Sequence, residues 1–132
     1  MFDASIGKST VLMPFGGKYQ LTPEEGSVQK LPVHGMTNTC SVMTYGYDPK
    51  VSKYSPYLGA SYSVVEALAR ITALGADYKK CRLSNQEYFE RLGADAQKWG
   101  QPFEALLGLI DAQLAFETPS TVSYTHLTLP TI

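Results

Sequence analysis

Residues 60 to 75 read ASYSVVEALARITALG, and this stretch decides the fold. Ala60, Val64, Leu68 and Ile71 recur at the spacing of one helix face, and Gly75 stands where a C-terminal glycine stop is expected. A rotation of about 100° per residue sets Tyr62, Glu66 and Arg70 on the side away from that apolar stripe. A helix with one apolar face needs a covering layer, so the flanking sequence must supply strands or more helices.

Upstream, Thr10 to Phe15 (TVLMPF) is a short apolar run stopped by Pro14 and the Gly16-Gly17 pair, and it reads as a strand leading into a turn. Pro23 to Gly26 reads as a polar loop, and Cys40 to Tyr45 (CSVMTY) as a second strand of β-branched, aromatic and small residues. Asp48 to Gly59 reads as a loop, because Pro49 and Pro56 punctuate it. Downstream, a short strand is expected over Lys80 to Leu83 and a small helix over Asn85 to Leu92. A last helix starts at Gln101 or Pro102, with proline in the first turn, and ends at Thr118-Pro119. Its apolar face, Phe103, Leu106, Leu107, Ile110 and Leu114, is assigned to the core. Strands alternating with amphipathic helices define an α/β or α+β class, a mixed sheet covered by helices.

The chain has 132 residues, enough for one domain of ordinary size. Hydrophobic residues make up 44% and charged residues 17%, which supports a packed core and excludes a compositionally disordered chain. A net charge of -1 and a pI near 6.1 give no basic excess, so neither nucleic acid nor a membrane surface is expected as a partner. No apolar run approaches the roughly 20 residues of a bilayer span, and Met1 to Thr10 lack a signal-peptide pattern. A cytoplasmic setting follows as an expectation, with Cys40 and Cys81 as buried thiols rather than a bridge.

Residues 121 to 132 (TVSYTHLTLPTI) break the pattern, with no charge and no helical period. From Val122 to Thr131 they resemble a transposon-end sequencing adapter read as protein, since Val-Ser-Tyr-Thr-His-Leu can be written GTC TCT TAT ACA CAT CTG. The expected organisation is therefore one native region over 1–120 and a non-native tail over 121–132, with His126 excluded as a ligand. A genuine β-strand is the alternative.

Few motifs carry chemistry. Gly7-Lys8-Ser9-Thr10 resembles the end of a phosphate-binding loop, but Phe2 stands where the first glycine is required. Gly16-Gly17-Lys18 could cradle a phosphate through backbone amides, although a glycine pair between strands is more commonly a turn. His34 is alone outside the tail, which leaves no zinc cluster; a Ser-His-Asp set could be drawn from it and the many serines, but no nucleophile-elbow sequence supports one, and a loop or partly buried histidine is expected. Tyr45, Tyr47, Tyr54, Tyr57 and Tyr62 could stack on a ligand or cover a sheet edge. Glu66 and Arg70 are an opposite-charge pair four residues apart; Glu66 could instead offer a hard oxygen to Mg2+.

The segments STVLMPFGGKYQLTP, SVMTYGYDP, SPYLGASYSVVEALARITALGA, LSNQEYFERLG and KWGQPFEALLGLIDAQLAF, in this order, resemble the phosphoribosylformylglycinamidine synthase family over essentially Phe2 to Ser120. The resemblance implies an incomplete N-terminal lobe of the second aminoimidazole-ribonucleotide-synthetase-like half, a piece of a cytoplasmic glutamine amidotransferase and ligase of de novo purine biosynthesis. In that family ATP and Mg2+ activate the amide oxygen of formylglycinamide ribonucleotide, and ammonia from glutamine displaces phosphate. The partners implied are the remaining halves and a glutaminase domain or subunit.

The resemblance also makes Glu66 a metal ligand. The family places Asn as a second ligand where Arg70 stands, and a cation cannot ligate a metal. A family aspartate falls on Asn38, which keeps a carbonyl oxygen and loses the charge. Asp3 and Ser5 match a family Asp-x-Ser/Thr segment. After Pro119-Ser120 the family continues into a Gly-Gly-Lys-Asp-Ser loop, so the chain is expected to be a fragment without synthase activity of its own. A non-catalytic nucleotide-binding or structural lobe is the second expectation, carried by Asn38 and Arg70.

Overall fold

The computed structural model describes residues 9–127, with the backbone alone over 122–127. Its elements run β1 (Phe15–Gly16), β2 (Thr22–Pro23), β3 (Gly26–Lys30), β4 (Cys40–Thr44), α1 (Pro49–Tyr54), α2 (Pro56–Ala73), a 3-10 turn (Tyr78–Lys80), β5 (Leu83–Phe89), α3 (Ala96–Phe116) and β6 (Ser120–Leu127). The class is mixed α/β. In place of one mixed sheet, the described residues form three two-stranded sheets, β1-β2, β3-β4 and β5-β6.

Contacts divide the chain into two units, the first built on 9–45 and Ala67–Ala76, the second on Gly46–Glu66 and 77–127. Helix α2 contributes to both.

In the first unit β3 and β4 pair antiparallel, with Gly26 opposite Thr44 and Lys30 opposite Cys40. Residues 9–12 lie along the other edge of β3, through a Thr10–Gln29 bridge and Val11 N–H donating to the Val28 carbonyl at 2.9 Å. The expected first strand is thus mostly an edge segment, and only Phe15–Gly16 joins the β1-β2 ladder. Leu68 and Ile71 of α2 are buried here, and the Leu74 side chain occupies the space a Cβ on Gly26 would need. Burying a Leu or Ile side chain is worth about 1.5–3 kcal/mol each, so these residues are the apolar anchor of the unit. Gly75 adopts φ +84 and ends the helix; Ala76 N–H returns to the Ile71 carbonyl and Gly75 N–H to that of Thr72.

The second unit overturns several expectations. Asp48 to Gly59 is not a loop. Pro49 opens α1 beside Asp48, whose carboxylate accepts from the Lys50 and Val51 amides, and Pro56 opens α2. A proline in the first turn has no intrahelical N–H to lose, so these residues mark starts rather than breaks. The helix expected over Asn85 to Leu92 is instead the strand β5, whose half-buried and exposed residues alternate from Leu83 to Phe89. The strand expected over Lys80 to Leu83 gives way to the 3-10 turn, capped by Asp77. Helix α3 starts five residues before Gln101, behind the Asp95 cap, and takes Pro102 into its interior. β5 and β6 pair parallel, with α3 as the crossover between them. The ladder carries β6 through residues 121–127, within the stretch that resembles an adapter; backbone groups make these bonds whatever the side chains.

The face that α3 buries also differs from the expected one. Ala105, Gly108, Leu109 and Ala112 are buried, with Val64 and Leu92, whereas Phe103, Leu106, Leu107, Ile110 and Leu114 are exposed. Small residues let α3 approach α2 closely: a Cβ on Gly108 would collide with the Tyr57 carbonyl. Tyr78 and Phe116 add an edge-to-face contact, with ring centroids 6.2 Å apart.

Candidate functional site

Glu66 lies in the middle of α2, and its Oε2 accepts the Tyr47 backbone N–H at 2.8 Å. Tyr47 belongs to the connection between β4 and α1, and the next residue, Asp48, spends its carboxylate on Lys50 N at 2.8 Å and Val51 N at 3.1 Å. Both carboxylates therefore order the backbone of one short connection. Among the described residues no group of three or more His, Cys, Asp or Glu gathers as a metal set would. Mg2+ takes six oxygens in octahedral geometry, and Glu66 would offer one carboxylate toward them. The described residues do not by themselves fit the ion.

Arg70 sits one helical turn further on and is anchored in the first unit. Its Nε and Nη2 donate to Glu25 at 3.1 and 2.9 Å, its Nη1 donates to the Tyr45 carbonyl at 2.6 Å, and its guanidinium lies 4.6 Å from the centre of the Tyr45 ring. One planar cation thus joins the β2–β3 connection, the end of β4 and α2. Thr44 completes this seam by donating its hydroxyl to the Ala67 carbonyl at 2.8 Å. Neither Glu25 nor Tyr45 was legible as a partner from spacing, because both contacts cross long sequence separations.

The remaining candidates resolve individually. Asn38 lies on the exposed β3–β4 connection, where its carbonyl accepts from the Cys40 thiol at 3.5 Å. Gly16-Gly17-Lys18 forms the β1–β2 turn, with Gly17 at φ +81 and the Gln20 N–H returning to the Gly17 carbonyl. His34 is exposed. Ser9 donates to the Gln29 side chain at 3.3 Å; Asp3, Ser5, Gly7 and Lys8 lie outside the described residues. Cys40 and Cys81 are both free and half-buried; burial, with the Asp77 charge nearby, pushes the Cys81 thiol above its ordinary value. Beside β3 a cleft of about 280 Å3 is lined by Thr10, Leu12, Glu24, Ser27 and Gln29, with Glu24 its one ionisable side chain.

In the second unit one member of the tyrosine run, Tyr57, has a structural use. Tyr57 donates its hydroxyl to Asp111 Oδ2 at 2.7 Å, and that bond raises its pKa, as does the carboxylate charge. Glu104 accepts from the Ser55 hydroxyl at 2.9 Å and the Tyr57 amide at 3.4 Å, which sets an acid at the N-terminus of α2, where the helix dipole favours it.

Comparison with protein families, with curated proteins and with solved structures returns no match to this chain. No helix among the described residues is long and apolar enough to cross a membrane.

Proposed function

We propose that the chain is a partial lobe of a phosphoribosylformylglycinamidine synthase. The observation that carries this reading is the ordered set of segments from Phe2 to Ser120, with ASYSVVEALARITALG at its centre. The α/β class is compatible with it. On this reading ATP and Mg2+ serve the parent ligase, Glu66 is the metal-ligand position, Asn38 a weakened one that keeps a carbonyl oxygen, and the further ligands come from the remaining halves. The chain alone then forms no formylglycinamidine ribonucleotide.

A non-catalytic structural lobe is the second reading, and one observation favours it. Arg70, in the place of a family metal ligand, is committed to Glu25 and Tyr45 and thereby braces the first unit.

A thermal-shift titration of the full chain with ADP, with and without Mg2+, separates the two. A ligand that binds only the folded state raises its stability, so the synthase reading expects a Mg2+-dependent rise in Tm that Glu66→Gln abolishes. A shift that survives Glu66→Gln unchanged overturns the metal assignment. No shift with either ligand favours the structural lobe.

A further inference from the structure

The cleft beside β3 takes its walls from two segments: Leu12 and Pro14 lie on one, and Glu24, Ser27 and Gln29 on the other. Its volume of about 280 Å3 falls just under the roughly 300–1,000 Å3 of pockets that hold drug-sized ligands, so a smaller molecule suits it. Gln29 Nε2 donates to Ser27 Oγ at 3.4 Å, which uses one of that oxygen's two lone pairs.

Glu24 sets the charge of this cleft. Its backbone N–H donates to the Pro14 carbonyl at 3.0 Å, and its carboxylate lies over Gly16, where a Cβ would collide with Oε1. Glu24 is half-buried, and among the described residues no ion pair engages it: Arg70 takes the neighbouring Glu25, and Lys18 lies 5.5 Å from the centre of the Tyr19 ring. A carboxylate partly withdrawn from water gains most from a partner that brings both positive charge and N–H donors. The same carboxylate repels phosphate from the Gly16-Gly17 amides, so the glycine pair is not an anion cradle.

We propose that this cleft binds a small primary alkylamine in its protonated form. The ammonium donates to the Glu24 carboxylate and to the second lone pair of Ser27 Oγ, and the alkyl chain lies along Leu12 and Pro14, where its burial is favourable. An ammonium carries three N–H donors and no acceptor, which matches an acid beside a hydroxyl oxygen better than a phosphate, a carboxylate or an alcohol does. A bare metal ion matches less well, because among the described residues no group of three or more His, Cys, Asp or Glu gathers. The inference goes beyond the synthase reading and stands or falls without it, since the nucleotide titration reads Glu66 and the amine reads Glu24.

Amide NMR of the full chain, titrated with butylammonium chloride to about 20 mM at constant ionic strength, tests the site over a range suited to so small a ligand. The Thr10, Ser27 and Gln29 amides are expected to shift together and saturate with one dissociation constant. 1-Butanol has the same shape without the charge and should bind at least about tenfold more weakly, as should butylammonium to Glu24→Gln, because each loses a charged hydrogen bond. Gly16→Ala keeps the acid but displaces it: the new Cβ meets only the far end of a flexible side chain, so the variant folds and binds more weakly. Unchanged Tyr57 and Gly108 amides verify that both variants are folded. The proposal is overturned if the shifts do not saturate, if butanol binds as tightly, or if Glu24→Gln binds butylammonium as the parent does. An equal response at the exposed acids Glu90 and Glu117 overturns it too, since that is attraction to any surface carboxylate.

Discussion

Gly108 of α3 rests against the backbone carbonyl of Tyr57 in α2, and the Ser61 hydroxyl lies 2.9 Å from the Tyr57 carbonyl and 3.0 Å from that of Gly108. Two helices come this close only where one lacks a side chain. The same contact explains why α3 buries Ala105 and Ala112 and turns its larger apolar residues outward.

Gly108→Ala is therefore expected to destabilise the chain. Alanine in place of glycine favours an isolated helix by about 1 kcal/mol. Overpacking costs typically about 1–3 kcal/mol, and here the obstacle is backbone, which cannot rotate away. Gly108→Val should lose more than Gly108→Ala. Urea unfolding followed by circular dichroism measures both, and an alanine variant at least as stable as the parent would show that the helices can separate freely.

That contact also marks the limit of what sequence reading reached. The 3.6-residue period located α2 and its buried Val64, Leu68 and Ile71. It located α3 as a helix as well, but ranking faces by bulk chose the wrong side, because close helix approach selects small residues. Pro49 and Pro56 punctuate a loop in the sequence, yet each opens a helix. β5 carries Asn85, Gln86 and Glu87, poor strand formers that only a neighbouring backbone makes extended. At the candidate site, Glu66 was legible as a carboxylate on an α2 face. Its Tyr47 partner and the grip of Arg70 on Glu25 were not, since they depend on chain segments brought together from a distance.

The Tyr57–Asp111 bond predicts how stability falls at alkaline pH. The hydrogen bond from Tyr57 to Asp111, and then the carboxylate charge, hold the phenol above its ordinary value of 10.0 in the folded chain. The stabilisation is thus fully present below the unfolded value and is lost as pH rises through the higher folded one. Tyr57→Phe should be less stable than the parent by a constant amount below about pH 9, and the gap should close above about pH 10. Unfolding midpoints at a series of pH values check this; a gap that widens with pH contradicts the assignment.

Glu117 ends α3 in the left-handed region, at φ 54 and ψ 34, while Thr118 N–H returns to the Gln113 carbonyl. Glycine takes that conformation without steric cost, so Glu117→Gly should stabilise the chain by about 0.5–1 kcal/mol. Gly75→Ala, at the equivalent position after α2, should destabilise it by a similar amount. Opposite signs in thermal unfolding are the expected result. Equal signs would mean that neither cap is limiting.

Arg70 separates charge from geometry at the seam of the first unit. Its side chain is 16% exposed, but that of Glu25 is 63% exposed, so water screens the carboxylate end of the ion pair and the charge pairing contributes only about 1 kcal/mol. The larger part should come from what only a guanidinium can do, namely donate to the Tyr45 carbonyl while covering the Tyr45 ring. Glu25→Gln is expected to cost less than about 1 kcal/mol. Arg70→Met should cost about 1–2 kcal/mol, because it removes together the hydrogen bond to the Tyr45 carbonyl, the cation over the Tyr45 ring and the Glu25 pair. Arg70→Lys keeps the charge and loses the fork, so it should fall near Arg70→Met rather than near the parent. Denaturant unfolding at low and high salt distinguishes the contributions: the Glu25→Gln effect should fade with salt, and the Arg70→Lys effect should persist. If Glu25→Gln costs as much as Arg70→Met, the charge pair holds the seam and the Tyr45 contact is incidental.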